Sequence, residues 1–291
     1  MRASGQNEAV RILITGADGQ LGHDLAAHCT ARGDDVVAVG RGRLDICDRS
    51  MVHAAISSLR PDAVVNCAAW TAVDACESDP ERALATNGLA VRWLREACAA
   101  AGAHLVTVST DYVFDGTKAD PYHEWDNPAP ASVYGASKLA GEREAGDDAA
   151  VVRTSWVCGA HGANMVATVL RLIGERDQLS FVDDQRGHPT FTADLAVALR
   201  EVAVERMSGT WHLTNQGAVS WFGFVRDIVA AAGRDPAMVH PIATADLDPP
   251  RPAPRPANSV LDNRAWRLAG RAPLRHYLDP LGELVAELTQ R

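Results

Sequence analysis

The stretch "RILITGADGQLGHDL", Arg11 to Leu25, decides the fold. A short β-branched run ends at Gly16, a helical pattern begins at Gln20 and continues to Arg32, and Gly16, Gly19 and Gly22 recur every three residues across the join. At a strand-to-helix join, Gly16 permits a tight turn. Gly19 lets backbone approach a pyrophosphate at the helix N-terminus, and Gly22 allows the helix to pack closely on the strand. The spacing is GxxGxxG rather than GxGxxG, and an ordinary βα turn would also use glycine, but the position at this join favours a dinucleotide site.

Outward from that turn the same unit repeats. "VVAV" precedes a helical pattern from Asp48 to Leu59, "AVVN" precedes one from Pro80 to Ala101, "HLVTVS" precedes one from Tyr134 to Ala145, and "AVVRT" follows. Strands alternating with helices predict a parallel sheet covered on both faces, an α/β Rossmann-like doubly wound fold. Asp79 before Pro80 is a strong helix start, since the carboxylate caps and proline fits the first helical position. After Thr154 the pattern loosens. Residues 1–155 are expected to form the dinucleotide-binding domain and 156–291 a smaller α/β substrate-binding domain, with part of about 190–215 packing back on the first. "LDPPRPAPRPANSVLD" carries too much proline for a helix or an interior strand and reads as a stiff extended loop. There is no internal repeat.

Composition narrows the function. With 291 residues, 47% hydrophobic and 22% charged, the chain can bury a large core. A net charge of −9 without a long basic run argues against nucleic acid and acidic membrane as partners. The six cysteines, at 29, 47, 67, 76, 98 and 158, contain no CxxC pair and no metal-like Cys/His spacing, which fits reduced thiols in the cytoplasm. The polar opening "MRASGQNEAV" and the short "ILIT" predict neither a signal peptide nor a membrane span.

The chemistry-bearing pair lies in "VYGASKLAGE", where Tyr134 and Lys138 fall one helical turn apart on one face. A cation beside a phenol lowers its pKa and makes it a proton donor near neutral pH, though such pairs also arise by chance on helices. At the end of the second strand, where an acid commonly holds the ribose of NAD, the sequence has Gly40 and Arg41 instead. Arg41 or Arg43 could meet a 2′-phosphate, which tilts the cofactor toward NADPH with NADH still allowed; either could equally be a solvated loop arginine. Asp45 reads from spacing alone as a turn or cap.

With "GADGQLG", "NCAAWTAVDACES", "VSTDYVFDG", "VYGASKLAGE", "RTSWV" and "RPAPRPANSVLD" in this order, the chain resembles the dTDP-4-dehydrorhamnose reductases, extended short-chain dehydrogenase/reductases, over about residues 11–285. The resemblance implies NADPH- or NADH-dependent reduction of the C4 ketone of a dTDP-4-dehydro-6-deoxy-L-hexose, with Thr110, Tyr134 and Lys138 as the catalytic set. It further implies cofactor contacts from Gly19, Gln20, Leu21, Asp45, Ile46, Ala69, Trp70 and Thr71, and substrate contacts from Asp111 and Trp156. Thr110 could instead be a strand-end hydroxyl, Asp111 a turn residue and Trp156 core. A homodimer is compatible with the family. Some members bind metal through acidic side chains at a dimer interface, but Asp24 alone makes no site, and no metal is expected. Cys158 stands where relatives often carry an aromatic residue. Three other readings of the scaffold stay open: a dihydrostreptose-type reductase, a non-catalytic regulatory subunit, and an epimerase, although "STDYVFDG" resembles the reductases better. A dehydratase is disfavoured, because Thr110, Asp111 and Tyr112 occupy the place of its "TDE" signature. Arg251 and Arg255, presented on the proline-rich loop of a net-acidic chain, are candidates for the diphosphate, Arg255 first.

Overall fold

The computed structural model describes residues 9–290; positions 1–8, within the polar opening segment, and 291 lie outside the described residues. Its centre is a six-stranded parallel sheet. Strands β1 (Arg11–Thr15), β2 (Asp35–Val39), β3 (Ala63–Asn66), β4 (His104–Thr110) and β5 (Ala150–Thr154) run in the order β2-β1-β3-β4-β5, and Gly209–His212 closes the far edge beside β5. The expected doubly wound parallel sheet is therefore present. Every residue of β3 and β5 is buried, as continuous apolar runs require when both faces are covered. The chain steps from β1 outward to β2 and then crosses back to β3, so the topological switch lies at the carboxyl ends of β1 and β3, where α/β sheets open a crevice.

Helices α1 (Gln20–Ala31), α2 (Arg49–Leu59), α3 (Val73–Ser78), α4 (Pro80–Leu84), α5 (Ala90–Ala101) and α6 (Val133–Ala145) follow the early strands. The later ones are α7 (Met165–Glu175), α8 (Thr192–Val204), α9 (Trp221–Ala231), α10 (Arg264–Leu268) and α11 (Leu278–Thr289). On one face of the sheet, Leu25 of α1 and Leu195 and Leu199 of α8 pack with Ile12, Ile14 and Val65; on the other, Val52, Ile56, Val91 and Leu94 of α2 and α5 pack with Leu13 and Val64. A separate cluster joins α7, α9 and α11 through Val169, Phe224, Ile228 and Leu281, beside the parallel pair Leu179–Val182 and Val239–Ile242. The helix starts follow local chemistry. Asp48 accepts from the backbone of Ser50 and Met51, Asp79 from Arg82, and Ser132 from Gly135.

One helix differs from expectation. The single helix anticipated from Pro80 to Ala101 is interrupted by a π-type turn at Ala85–Leu89. The buried Asn87 accounts for it: its Oδ1 accepts from Trp70 N at 2.8 Å, and its Nδ2 donates to Trp70 O and to Ser137 Oγ, both at 3.0 Å. A side chain that must reach two other segments widens the helix locally, a deformation common beside functional sites. The proline-rich segment has no regular helix or strand from Asp248 to Pro256, in agreement with its composition.

Candidate functional site

Three adjoining recesses open at the carboxyl edge of the sheet. The largest, 540 Å³, is lined by Gly16, Gly19, Gln20, Leu21 and Gly22 from the glycine turn, by Ala69 and Thr71 after β3, and by Thr110, Asp111, Tyr134, Lys138 and Trp156. The second, 250 Å³, shares Gly16, Gly19 and Ala69 with it and adds Arg41, Asp45, Ile46 and Trp70. The third, 280 Å³, contains Arg255 and Arg251 with Tyr112, Phe181 and Trp221. The first two together bring all the expected cofactor residues to one continuous crevice, while Arg255 stands outside it.

The glycine turn is shaped by close backbone approach. Gly16 has φ +69°, and a Cβ there would lie 2.6 Å from Ala68 N; a Cβ on Gly22 would lie 2.4 Å from Gly16 O. Gly19 differs: its Cβ would meet only Gly16 O, at 3.3 Å, so its missing side chain leaves backbone bare toward the crevice. That cradle fits a pyrophosphate. The side chain of Gln20 has another task. Its Nε2 donates to Ala163 O and its Oε1 accepts from Gly159 N and Asn164 Nδ2, each at 3.0 Å, tying α1 to the 159–164 loop. Asp45 accepts from Cys47 N at 3.0 Å and faces Arg41 at 3.4 Å. The ring of Trp70 lies under the Arg82 guanidinium, 4.2 Å from centroid to carbon.

At the other end, Tyr134 is buried, and burial raises its phenol pKa above the ordinary value while the Thr110 hydroxyl opposes the rise. The sequence led to a phenol acidified by Lys138. In the structure the Lys138 ammonium turns inward and donates to Val108 O at 2.7 Å, and burial sets the direction in which the phenol shifts. Burial brings Lys138 down to about 8, with Glu142 and Cys67 pulling the other way. The phenol consequently stays protonated across neutral pH, the form a proton donor needs. Thr110 donates to Asp111 Oδ1 at 2.9 Å, and Asp111 Oδ2 is buried with no hydrogen-bond partner among the described residues. Burial pushes the Asp111 carboxyl up to about 6, against the hydroxyls of Ser259 and Thr110.

Trp156 has φ +44°, uncommon for a bulky residue, and its ring stacks on Trp221 with centroids 3.6 Å apart and planes 10° apart. The pair walls the large recess, so Trp156 is neither plain core nor isolated. Arg255 makes a bidentate pair with Asp74, at 2.7 and 2.8 Å, and donates to Ala253 O at 2.7 Å, so its planar fork already has a partner. Arg251 is 3.8 Å from the same carboxylate with its side chain 60% exposed. Sequence reasoning passed over Asp74, Asn87 and Trp221. Only the capping of α9 by Ser220, directly before Trp221, gives any local signal for them.

Asp24 is not the solitary donor its sequence context implied. Donor atoms of His23, Asp24 and His161 lie within 4.8 Å of one another, and Asp24 Oδ2 accepts from Thr192 Oγ1.

A family described as RmlD substrate binding domain matches residues 10–290. The chain is 45% identical over 290 residues to the dTDP-4-dehydrorhamnose reductase of Streptomyces griseus, covering 97% of this chain and 95% of that protein. It is 44% identical over 285 residues to the Mycobacterium tuberculosis protein of the same name, covering 95% and 92%. Among solved structures, that of dTDP-4-dehydrorhamnose reductase from Bacillus anthracis in complex with NADP superposes with a TM-score of 0.92 at 36% identity, covering 96% of this chain and 99% of that one. With a match that runs almost end to end over a glycine-lined crevice holding Thr110, Tyr134 and Lys138, the chain belongs to the dTDP-4-dehydrorhamnose reductase family.

Proposed function

We propose that this chain is an NADPH-dependent oxidoreductase that reduces the C4 ketone of a dTDP-4-dehydro-6-deoxy-L-hexose, dTDP-4-dehydrorhamnose to dTDP-L-rhamnose, and that NADH can replace NADPH. The observation that carries the reading is the sharing of one recess by the glycine cradle and the Thr110, Tyr134 and Lys138 side chains. NADPH, when bound, supplies the hydride for C4. The remaining work falls to the protein. As negative charge grows on O4, the Tyr134 phenol gives it a proton and Thr110 gives a second hydrogen bond. Lys138, which burial lowers only to about 8, carries charge at neutral pH and is assigned the ribose hydroxyls next to the nicotinamide. Gly16, Gly19 and Gly22 hold the pyrophosphate, and Arg41, Asp45, Ile46, Ala69, Trp70 and Thr71 hold the adenosine side.

For the sugar nucleotide, Asp111 and the Trp156–Trp221 stack are assigned the hexose end. The cations Arg251 and Arg255, across the Tyr112 and Trp221 wall, are assigned the diphosphate. Six free cysteines suit a cytoplasmic setting, and among the described residues no helix is long and apolar enough to cross a membrane. A second copy of the chain is the expected protein partner, and residues 156–291 are assigned to the substrate side.

The test is to mix the protein with NADPH and dTDP-4-dehydrorhamnose and follow loss of reduced-nicotinamide absorbance. Turnover is expected, and Tyr134→Phe should bind NADPH as the wild type does while losing about 10²- to 10⁴-fold in rate. A Tyr134→Phe enzyme retaining more than half of its activity removes Tyr134 from the mechanism. Absence of turnover with an intact fold and bound NADPH would instead favour the regulatory-subunit reading.

A further inference from the structure

The sequence has no acid after the second strand, where an acid that accepts the adenosine 2′-hydroxyl commonly stands. The fold brings one there from a different loop. A Cβ on Gly40 would lie 1.7 Å from Asp18 Oδ2 and 2.5 Å from Oδ1, so the Asp18 carboxylate fills the volume that a side chain at position 40 would use. The placement follows from backbone: Ala17 N donates to Val39 O at 3.1 Å and Gly19 N to Gly16 O at 3.0 Å, which ties the glycine turn to the end of β2. Asp18 is exposed and, among the described residues, its carboxylate has no hydrogen-bond or ion-pair partner. It borders the 250 Å³ recess together with Arg41, Asp45, Trp70 and Arg82. Of the two cations there, Arg41 is engaged by Asp45 at 3.4 Å and Arg82 lies over the Trp70 ring.

We propose that Asp18 is a cofactor-specificity residue, accepting a hydrogen bond from the adenosine 2′-hydroxyl and repelling a 2′-phosphate, so that NADH stays usable by an enzyme whose neighbouring arginines favour NADPH. This rests on reading the recess as the adenosine end of the cofactor crevice. Gly40 then serves to make room for Asp18. It does not serve to make room for a phosphate. The consequence for engineering is direct: Gly40→Asp, which would place an acid where one commonly holds the ribose of NAD, would drive a second carboxylate into the first.

The test is calorimetric titration of the full-length wild type, Asp18→Asn and Gly40→Ala with ADP-ribose and with 2′-phospho-ADP-ribose, neither of which can react. A 2′-phosphate carries about 1.5 to 2 negative charges, and removing one like charge a few ångströms away in a wet site is worth about a tenfold change in affinity. In Asp18→Asn the preference for the phosphorylated ligand over ADP-ribose should rise about tenfold. Gly40→Ala, which displaces the carboxylate but leaves it in the sequence, should move the ratio in the same direction. An unchanged ratio in Asp18→Asn, with both ligands still binding, overturns the role of Asp18 alone. Failure of the wild type to bind either ligand overturns the adenosine assignment of the recess and the inference with it.

Discussion

Asp111→Asn should change stability in a way that depends on pH, and the size of the dependence can be worked from the structure. Asp111 is 2% exposed, and burial raises its carboxyl from an ordinary 3.8 to about 6. A group whose pKa is higher in the folded state favours folding while it is protonated. That contribution is fully present below pH 3.8 and is lost as pH rises through about 6. At 1.36 kcal/mol per pH unit, ionised Asp111 costs the fold about 3 kcal/mol at pH 8 relative to pH below 4. Asparagine has the same shape and does not ionise. It also places an amide where Oδ2 now lacks a partner, and an unmet buried donor costs about 1–3 kcal/mol. That cost does not vary with pH and cancels when two pH values are compared. Urea unfolding of wild type and variant at pH 4.5 and pH 8 should therefore show the variant gaining about 2 kcal/mol against wild type over that interval. The sugar-nucleotide KM of the variant should rise in parallel. A stability difference that is the same at both pH values would refute the argument, since it would mean that Asp111 carries no unfavourable buried charge.

Two further outcomes bear on the supports of the site. Asn87→Ala removes three hydrogen bonds that clamp the Trp70 backbone and Ser137, and should cost about 2–4 kcal/mol in urea unfolding while raising the NADPH KM; a variant as stable as wild type would make the π-type turn incidental. Arg255→Ala should raise the sugar-nucleotide KM about tenfold or more, leaving that for NADPH nearly unchanged, because a charge-assisted hydrogen bond is worth about 1.5–3 kcal/mol. If Asp74→Ala with Arg255 intact reproduces the whole effect, Arg255 acts as the partner of Asp74 and not on the diphosphate.

What the sequence determined by itself was chemistry written in contiguous residues. The strand, glycine turn and helix of residues 11–31, the cap at Asp79 and the helical Tyr134 and Lys138 depend on backbone conformation and on neighbours within a turn. The parallel sheet followed from the same local alternation, since apolar runs flanked by amphipathic helices have few other ways to bury both faces. Tertiary structure decided everything that crosses between segments. Asn87 sits in a π-type turn within the stretch read as one helix, its amide held by Trp70 and Ser137. Lys138 bonds a β4 carbonyl, Arg255 meets Asp74, and Trp156 finds Trp221. Asp18 reaches the empty place beside Gly40 although 22 positions separate them in the chain. Burial raises the pKa of Asp111 and lowers that of Lys138 for the same reason. Desolvation depends on how many atoms of distant segments surround a group, and no spacing within the chain encodes that number.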